Sequence, residues 1–294
     1  EKQVEVSSGE FGPWEHWADG WYGCKTPVLY ATQEQLLTIG VNNELIPIEA
    51  ESWEANEDAT VWTFHIRQGL QWSDGTPLNA NDWVYTFQYI VNPETGFDFL
   101  WYFDQIKNIN DVSAGTMDVS ELGVKATDDY TLVFEMKSST PYWPALVASA
   151  FVLPKQAVEA CGAKVWSTDP ACYVASGPYT MTRYERDRVI VMELNQNYKG
   201  NATPLINKIV YTYSSATASN AGFATYQNDE VPAMNLGGLP QNVVQEIIAD
   251  PQYADQLMMG LGQKVTYITF DTTKAPFDDV RVREAFAISI DRET

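Results

Sequence analysis

The sequence predicts an α/β chain, and three observations carry that expectation. Residues 61–67 (VWTFHIR) alternate as a half-buried strand requires, and the period then changes to a helical one across 83–91. Beyond Gly177, strand-like runs at 189–194, 209–213 and 265–270 are separated by a helical stretch, the alternation expected of layered sheets and helices. With 294 residues, 45% of them hydrophobic, the chain is long enough for two domains around sizeable cores.

The elements follow in order. In 61–67, Trp62, Phe64 and Ile66 share one face and Thr63, His65 and Arg67 the other. The next stretch, WSDGTP at 72–77, reads either as a tight turn or as a polar loop presenting Ser73 and Asp74 for chemistry. Asp74-Gly75 tolerates unusual backbone angles and Thr76-Pro77 directs the exit, so a turn joining strand to helix is the reading we adopt. Asn81 or Asp82 can cap the helix, whose apolar residues are Trp83, Val84, Phe87, Ile90 and Val91, and Asn92-Pro93 stops it. A second strand pair is predicted at 122–125 and 131–137 with a turn at 127–130, followed by a short helix at 154–160. All ten tryptophans lie at or before Trp166, so the texture shifts in the second half. There, Val243, Val244, Ile247 and Ile248 mark one helical face. Asp278-Asp279 can cap a last helix carrying Val282, Ala285, Phe286 and Ile290; its pattern still runs at Thr294, from which we expect further sequence.

Lys and Arg number 18 against 39 Asp and Glu, a formal charge of −21. Binding to a phosphate backbone rests on clustered cations, so nucleic acid is not an expected partner. The acidity is spread rather than gathered into a tail, which suits a solvated surface. Cys161 and Cys172 enclose ten residues, a spacing at which a disulfide would stabilise by roughly 2–3 kcal/mol and point to an oxidising compartment. Two unpaired buried thiols would fit the same spacing, and Cys24 is left over as a free thiol or one paired elsewhere. No run approaches the roughly 20 apolar residues that span a bilayer. The opening EKQVEV has neither an initiating Met nor a signal peptide, and is read as a processed or trimmed mature chain, with a lipid anchor left open.

Catalytic patterns are missing. The two histidines, His16 and His65, belong to no zinc-spaced cluster; His65 falls on the polar face of a strand, and His16 with Cys24 and Asp19 has no supporting spacing. GxSxG, P-loop and GxGxxG patterns do not occur, and Gly260-Leu-Gly262 lacks its third glycine. The acidic stretch 110–118 lacks the alternating ligands of a calcium loop and reads as a solvated turn. The sequence therefore nominates no catalytic residue, no metal site and no cofactor.

The aromatic residues are the remaining signal. Trp14, Trp17, Trp21 and Tyr22 crowd a Gly- and Pro-rich segment on which no periodic core face can be drawn, and rings on such a segment suit the wall of a ligand cleft. A second cluster, FDFLWYF at 97–103, reads equally as core or as cleft wall.

Several ordered motifs then resemble one family. LIPIEAESW at 45–53 and WTFHIRQGLQWSDGTPLNANDWV at 62–84 are similar to segments of the family 5 extracellular solute-binding proteins, the oligopeptide, dipeptide and nickel receptors of ABC importers. SGPY at 176–179 with NQNY at 195–198 resembles the family's return strand region, and PFDDVRVREAFAISIDR at 276–292 resembles the helix that opens its second lobe. YQNDE at 226–230 matches less faithfully.

The resemblance implies a periplasmic-binding-protein-like architecture (type II, cluster C-like): a first lobe with a mixed sheet plus an inserted α+β domain. Residues 1–49 and 172–270 would form the discontinuous first domain, 50–171 the insertion, and 271–294 the start of a second lobe whose remainder is missing. It also implies a monomeric receptor, periplasmic or on the cell surface, that takes a peptide in a cleft between lobes and hands it to a membrane permease. By position, first-lobe contacts should come from Trp14, Trp17, Trp21 and Tyr22 and from Trp101 and Tyr102. The Trp-rich wording departs from the family's commoner Leu-Asp-Pro, so an oligosaccharide ligand stays open. An extracellular hydrolase and a non-transport adhesive protein are the rivals from other classes.

Overall fold

A computed structural model describes residues 3–8, 18, 26–186, 188–213, 220–229, 233–234, 236, 239–259 and 267–291. The chain divides into two compact units, Glu1–Gln252 and Tyr253–Thr294. In the first unit the order is β1 (Gln3–Ser8), α1 (Thr26–Thr32), β2 (Leu37–Ile39), β3 (Leu45–Pro47), β4 (Ala50–Ala55), β5 (Val61–Ile66), α2 (Ala80–Val91), α3 (Ile109–Ser113), β6 (Val124–Asp128), β7 (Thr131–Glu135), α4 (Trp143–Val147) and α5 (Lys155–Cys161). It continues with β8 (Tyr179–Glu185), β9 (Val189–Leu194), β10 (Lys208–Tyr213), α6 (Asn220–Gln227) and α7 (Gln241–Ala249).

These strands form two four-stranded sheets and a two-stranded one. The sheet β1-β10-β9-β8 is mixed, because β1 runs parallel to β10 while the other pairs are antiparallel. The sheet β4-β5-β7-β6 is antiparallel throughout, and β2 pairs with β3. This is the expected α/β architecture, a mixed sheet beside an α+β layer.

The second sheet is built by the alternation read in the sequence. Along β5, Trp62, Phe64 and Ile66 are buried, and His65 faces outward with its Nε2 3.5 Å from Glu54. On the buried side Phe64 meets Phe134 edge-on at 5.6 Å, Phe87 of α2 meets Phe134 at 5.2 Å, and Trp143 of α4 lies 5.0 Å from Phe134. Edge-to-face rings at these separations add to the area they bury, so the helix is fixed to the sheet by aromatic contacts as well as by apolar burial.

The start of α2 differs from the expectation. Asn79, not Asn81 or Asp82, is the N-cap: its extended backbone ends the incoming turn, and its side chain accepts from Asn81 N at 2.9 Å. Asp82 then sits three residues on, where its Oδ2 accepts from Asn79 N at 2.9 Å, closing a reciprocal capping box. An acid at that place both satisfies the cap amide and meets the positive end of the helix dipole. The strand expected at 122–125 also moves, to Val124–Asp128, taking in the start of the turn expected at 127–130. The turn between β6 and β7 is an Asx turn, with Tyr130 N donating to Asp128 Oδ1 at 2.8 Å. The 110–118 stretch opens as the one-turn helix α3, which buries Ile109 and Val112, rather than as a solvated turn throughout.

WSDGTP is a turn. Gly75 N donates to Trp72 O and Trp72 N to Thr76 O, both at 2.9 Å, while Asp74 Oδ1 accepts from Thr76 N at 2.9 Å. Gly75 has φ +86°, the left-handed region that glycine enters without strain.

Residues 32–36 form a spine between two passages of the chain. On one side Glu49 N donates to Gln35 O and Ala50 N to Leu36 O, both at 3.1 Å. On the other, Gln33 Nε2 donates to Val174 O at 3.0 Å, Glu34 N to Ser176 Oγ at 2.7 Å and Gly177 N to Thr32 O at 2.9 Å. The chain enters the second sheet and returns from it at this crossing. Cys161 and Cys172 are joined in a disulfide that ties the end of α5 to the returning segment; Cys24 lies outside the described residues.

In the second unit α8 (Val280–Ser289) is capped by Asp279, whose side chain accepts from Arg281 N. Ile290 is already extended, so the helix ends before the pattern suggested. Phe270, Phe277 and Phe286 cluster with ring centroids 4.9–5.7 Å apart. Of the strand expected at 265–270, residues 265–266 are outside the described set and 267–270 are not strand. No described helix is long and apolar enough to cross a membrane.

Candidate functional site

Of the residues nominated from sequence, Trp14, Trp17, Trp21 and Tyr22 lie outside the described residues, as do His16, Asp19 and Gly260-Leu-Gly262. Within and after the Trp-rich stretch two points are described. Ala18 is fully buried in the hydrophobic core, and α1 begins at Thr26.

The second nominated cluster divides. Phe97 and Phe103 are core residues, stacked at 6.5 Å, and Phe103 also meets Phe87 at 5.5 Å. Trp101, two residues before Phe103, is 65% exposed. The division has a local cause. Residues Leu100–Phe103 form a single 3-10 turn, in which Tyr102 N donates to Phe99 O at 3.0 Å and Asp104 N to Trp101 O at 3.3 Å. Such a turn rotates successive side chains by about a third of a circle, so one of them faces the core while another faces water.

Around the exposed Trp101 the neighbouring rings Phe99 and Tyr102 are partly buried, packed against the core, and the three make a platform. Phe99 lies 4.5 Å from Trp101 and stacks on Tyr102 at 5.4 Å, and Trp101 meets Tyr102 edge-on at 5.9 Å. Its mount is rigid. Asp104 Oδ1, at the end of the turn, accepts from Lys137 Nζ and from Asn110 Nδ2, both at 2.8 Å. The Lys137 ammonium holds the Asp104 carboxyl below the usual carboxylate range. Lys137 N also donates to Gln105 O at 2.8 Å and Lys107 N to Glu135 O at 2.9 Å, so the segment after the platform is stitched to the end of β7.

With the Trp101 face exposed, Phe99 and Tyr102 behind it and hydrogen bonds holding the turn, the platform offers stacking and apolar contact to a ligand. Among the described residues no group of three or more His, Cys, Asp or Glu side chains is placed to hold a metal ion. The support from Asp104, Asn110 and Lys137 was not visible in the sequence, because its members are separated by up to 33 residues and share no pattern. The nearest available signal was Asp104 following directly on an aromatic run.

The model of the bacterial extracellular solute-binding proteins, family 5 Middle, matches residues 44–294. The periplasmic oligopeptide-binding protein OppA of Salmonella typhimurium is 35% identical over 264 residues, covering 88% of this chain and 47% of the relative. The structure of Burkholderia pseudomallei OppA superposes with a TM-score of 0.81 at 26% identity, over 99% of this chain and 56% of that one. Haemophilus influenzae OppA, solved in complex with RPPGFSPFR, gives a TM-score of 0.77 at 28% identity, over 99% of this chain and 56% of that one. The chain spans about half the length of the curated relatives it matches.

Proposed function

This chain belongs to the bacterial extracellular solute-binding proteins, family 5, and from that premise we propose that it serves as the first lobe of an extracytoplasmic receptor capturing peptides for an ABC importer. The observation that carries the reading is the similarity, across most of the chain, to periplasmic oligopeptide-binding proteins. No bond is made or broken in this function. A ligand touching two lobes favours their closed arrangement by its greater affinity for that state, which is how capture becomes a signal to a permease.

The proposed domain division is 1–49 with 172–270, 50–171 inserted, and 271–294 opening the second lobe. Separate sheets support the insertion, since β4 to β7 fall wholly within it and β1 pairs with β10 across it, while the compact units part at Gln252 and Tyr253 rather than at 270 and 271. Work outside the cytoplasmic membrane accords with the family and with the disulfide. Peptide is favoured over oligosaccharide because a relative of the same fold is seen with a peptide.

Trp101 and Tyr102, on their platform with Phe99, are the proposed described contacts; Trp14, Trp17, Trp21 and Tyr22 are proposed to join them. Calorimetric titration of the intact protein with a broad peptide library tests this. Binding is expected, with Trp101→Ala weakening it by roughly 5- to 30-fold, as loss of about 1–2 kcal/mol of aromatic contact would. Failure of every peptide to bind would overturn the receptor reading. Unchanged affinity in Trp101→Ala would remove the platform from it.

A further inference from the structure

The crossing of the two chain passages contains carboxyl groups that the receptor reading does not use. Glu34, in the spine, accepts a hydrogen bond from the Tyr198 hydroxyl, and that hydroxyl accepts one from Ala202 N at 3.0 Å. Glu49 is 1% exposed at the point where the chain enters the second sheet. Its Oε2 accepts from the Trp83 indole N–H at 2.7 Å, and its Oε1 has no hydrogen-bond partner. The backbone of the same two residues forms the crossing: Glu34 N binds Ser176 Oγ, Glu49 N binds Gln35 O, and Glu49 O accepts from Arg67 N at 2.8 Å.

An ionised Glu49 would place a full charge in the core with one indole donor to meet it. A neutral acid there leaves one polar atom unsatisfied, a far smaller cost. The charged and titratable groups that influence the cluster are few. Glu34 feels Tyr198 and Arg67; Glu49 feels Glu34, Trp83 and Asp82; Asp82 feels Lys155 and Asp74. Arg67 faces Glu34 while its own Nε donates to Ile48 O at 3.4 Å, so it does not close a salt bridge on Glu49.

We propose that Glu34 and Glu49 form a proton-operated latch at the chain crossing, which holds the 32–36 spine against both neighbouring passages while the carboxyls are protonated and loosens as they ionise, with the Tyr198 hydroxyl on Glu34 opposing the proton.

The direction of the effect follows from burial. Glu34 is partly buried where Glu49 is fully so, and desolvation raises it from its ordinary 4.5 to about 7, against the opposing Tyr198 hydrogen bond and the Arg67 charge. Burial also drives Glu49 well above its ordinary value, with the nearby Glu34 charge adding to the rise. A folded-state value above the unfolded one means the folded state binds the extra proton. The stability this contributes is fully present below pH 4.5 and is lost as pH rises through about 7. Partly buried carboxylates paired with lysine, such as Glu135 with Lys107 and Lys125, are lowered instead and weaken only in stronger acid.

Hydrogen exchange on the intact protein tests the latch without any ligand. After correction for intrinsic rates, protection of the Glu49, Ala50 and Gly177 amides is expected to fall on the order of tenfold or more between pH 5.5 and pH 8. Amides of the β5–β7 ladder should fall less. Glu34→Gln should remove most of the drop, and Tyr198→Phe should move it to higher pH, since that hydroxyl favours the ionised form of Glu34. Protection that stays flat in the wild-type protein, or a drop that keeps its size and position in both variants, would overturn the proposal. A Glu34→Gln protein that did not fold would leave the wild-type profile and Tyr198→Phe to decide it.

Discussion

Ser73 and Ala175, 102 residues apart in the chain, exchange two hydrogen bonds: Ser73 N donates to Ala175 O at 2.8 Å, and Ala175 N donates to Ser73 Oγ at 2.9 Å. Asn197 adds a third strand to the knot, its Nδ2 donating to Ser73 O at 2.9 Å. The WSDGTP turn is thus a docking point for the returning chain. Ser73→Ala removes one acceptor and leaves the Ala175 amide without its partner, for an expected loss of about 1–2 kcal/mol in urea unfolding. An unchanged midpoint would show that water replaces the hydroxyl.

The two glycines near this knot should respond differently to alanine. A Cβ on Gly177 would lie 2.8 Å from Thr32 C and 3.0 Å from both Ala31 O and Gln33 N, all backbone atoms that cannot swing aside. Gly177→Ala should cost roughly 2 kcal/mol or more. At Gly75 the added carbon finds space, with its nearest neighbour 3.6 Å away, and the cost is the left-handed backbone, about 1 kcal/mol. Equal losses in thermal or chemical denaturation would contradict this ordering.

Within one 3-10 turn, neighbouring aromatic residues should separate stability from binding. Phe103 is fully buried among Phe87, Phe97 and Trp143, so Phe103→Ala should destabilise by roughly 3–5 kcal/mol. Trp101→Ala should change stability by only about 0.5 kcal/mol. A large unfolding shift in the second variant would assign Trp101 to packing.

The disulfide closes a short loop, from Cys161 to Cys172. Replacing both by serine should lower stability by roughly 2–3 kcal/mol, the loss expected from the loop's added freedom in the unfolded chain. The loop also carries Trp166, which stacks at 6.0 Å on Tyr173, whose hydroxyl meets Thr32 Oγ1 at 2.6 Å. Reductant should therefore lower the wild-type midpoint and leave the double variant unmoved.

Much of the fold was legible because its signals are local. The alternation of 61–66, the apolar stripe of Trp83, Phe87, Ile90 and Val91, and the Asp-Gly turn at 74–75 each need only a few consecutive residues to be read. The true cap of α2 was missed by two positions, since Asn79, Asn81 and Asp82 are all competent cappers and the reciprocal bond between Asn79 and Asp82 selects among them. The split of the 97–103 cluster was not legible. Which ring faces the core depends on Phe87 and Trp143, tens of residues away, and on an Asp104–Lys137 contact that no periodicity announces. Glu49 was passed over inside a family motif, where its surroundings depend on the 32–36 spine and on Trp83, 34 residues away.

The parallel pairing of β1 with β10 sets an order of events in folding. Gln3–Ser8 meets its partner only when Lys208–Tyr213 has been made. β4 to β7 all lie between Ala50 and Glu135, so the antiparallel layer can close before the mixed sheet does. Until Lys208–Tyr213 is in place, Gln3–Ser8 has no partner in its sheet and stays an open strand edge.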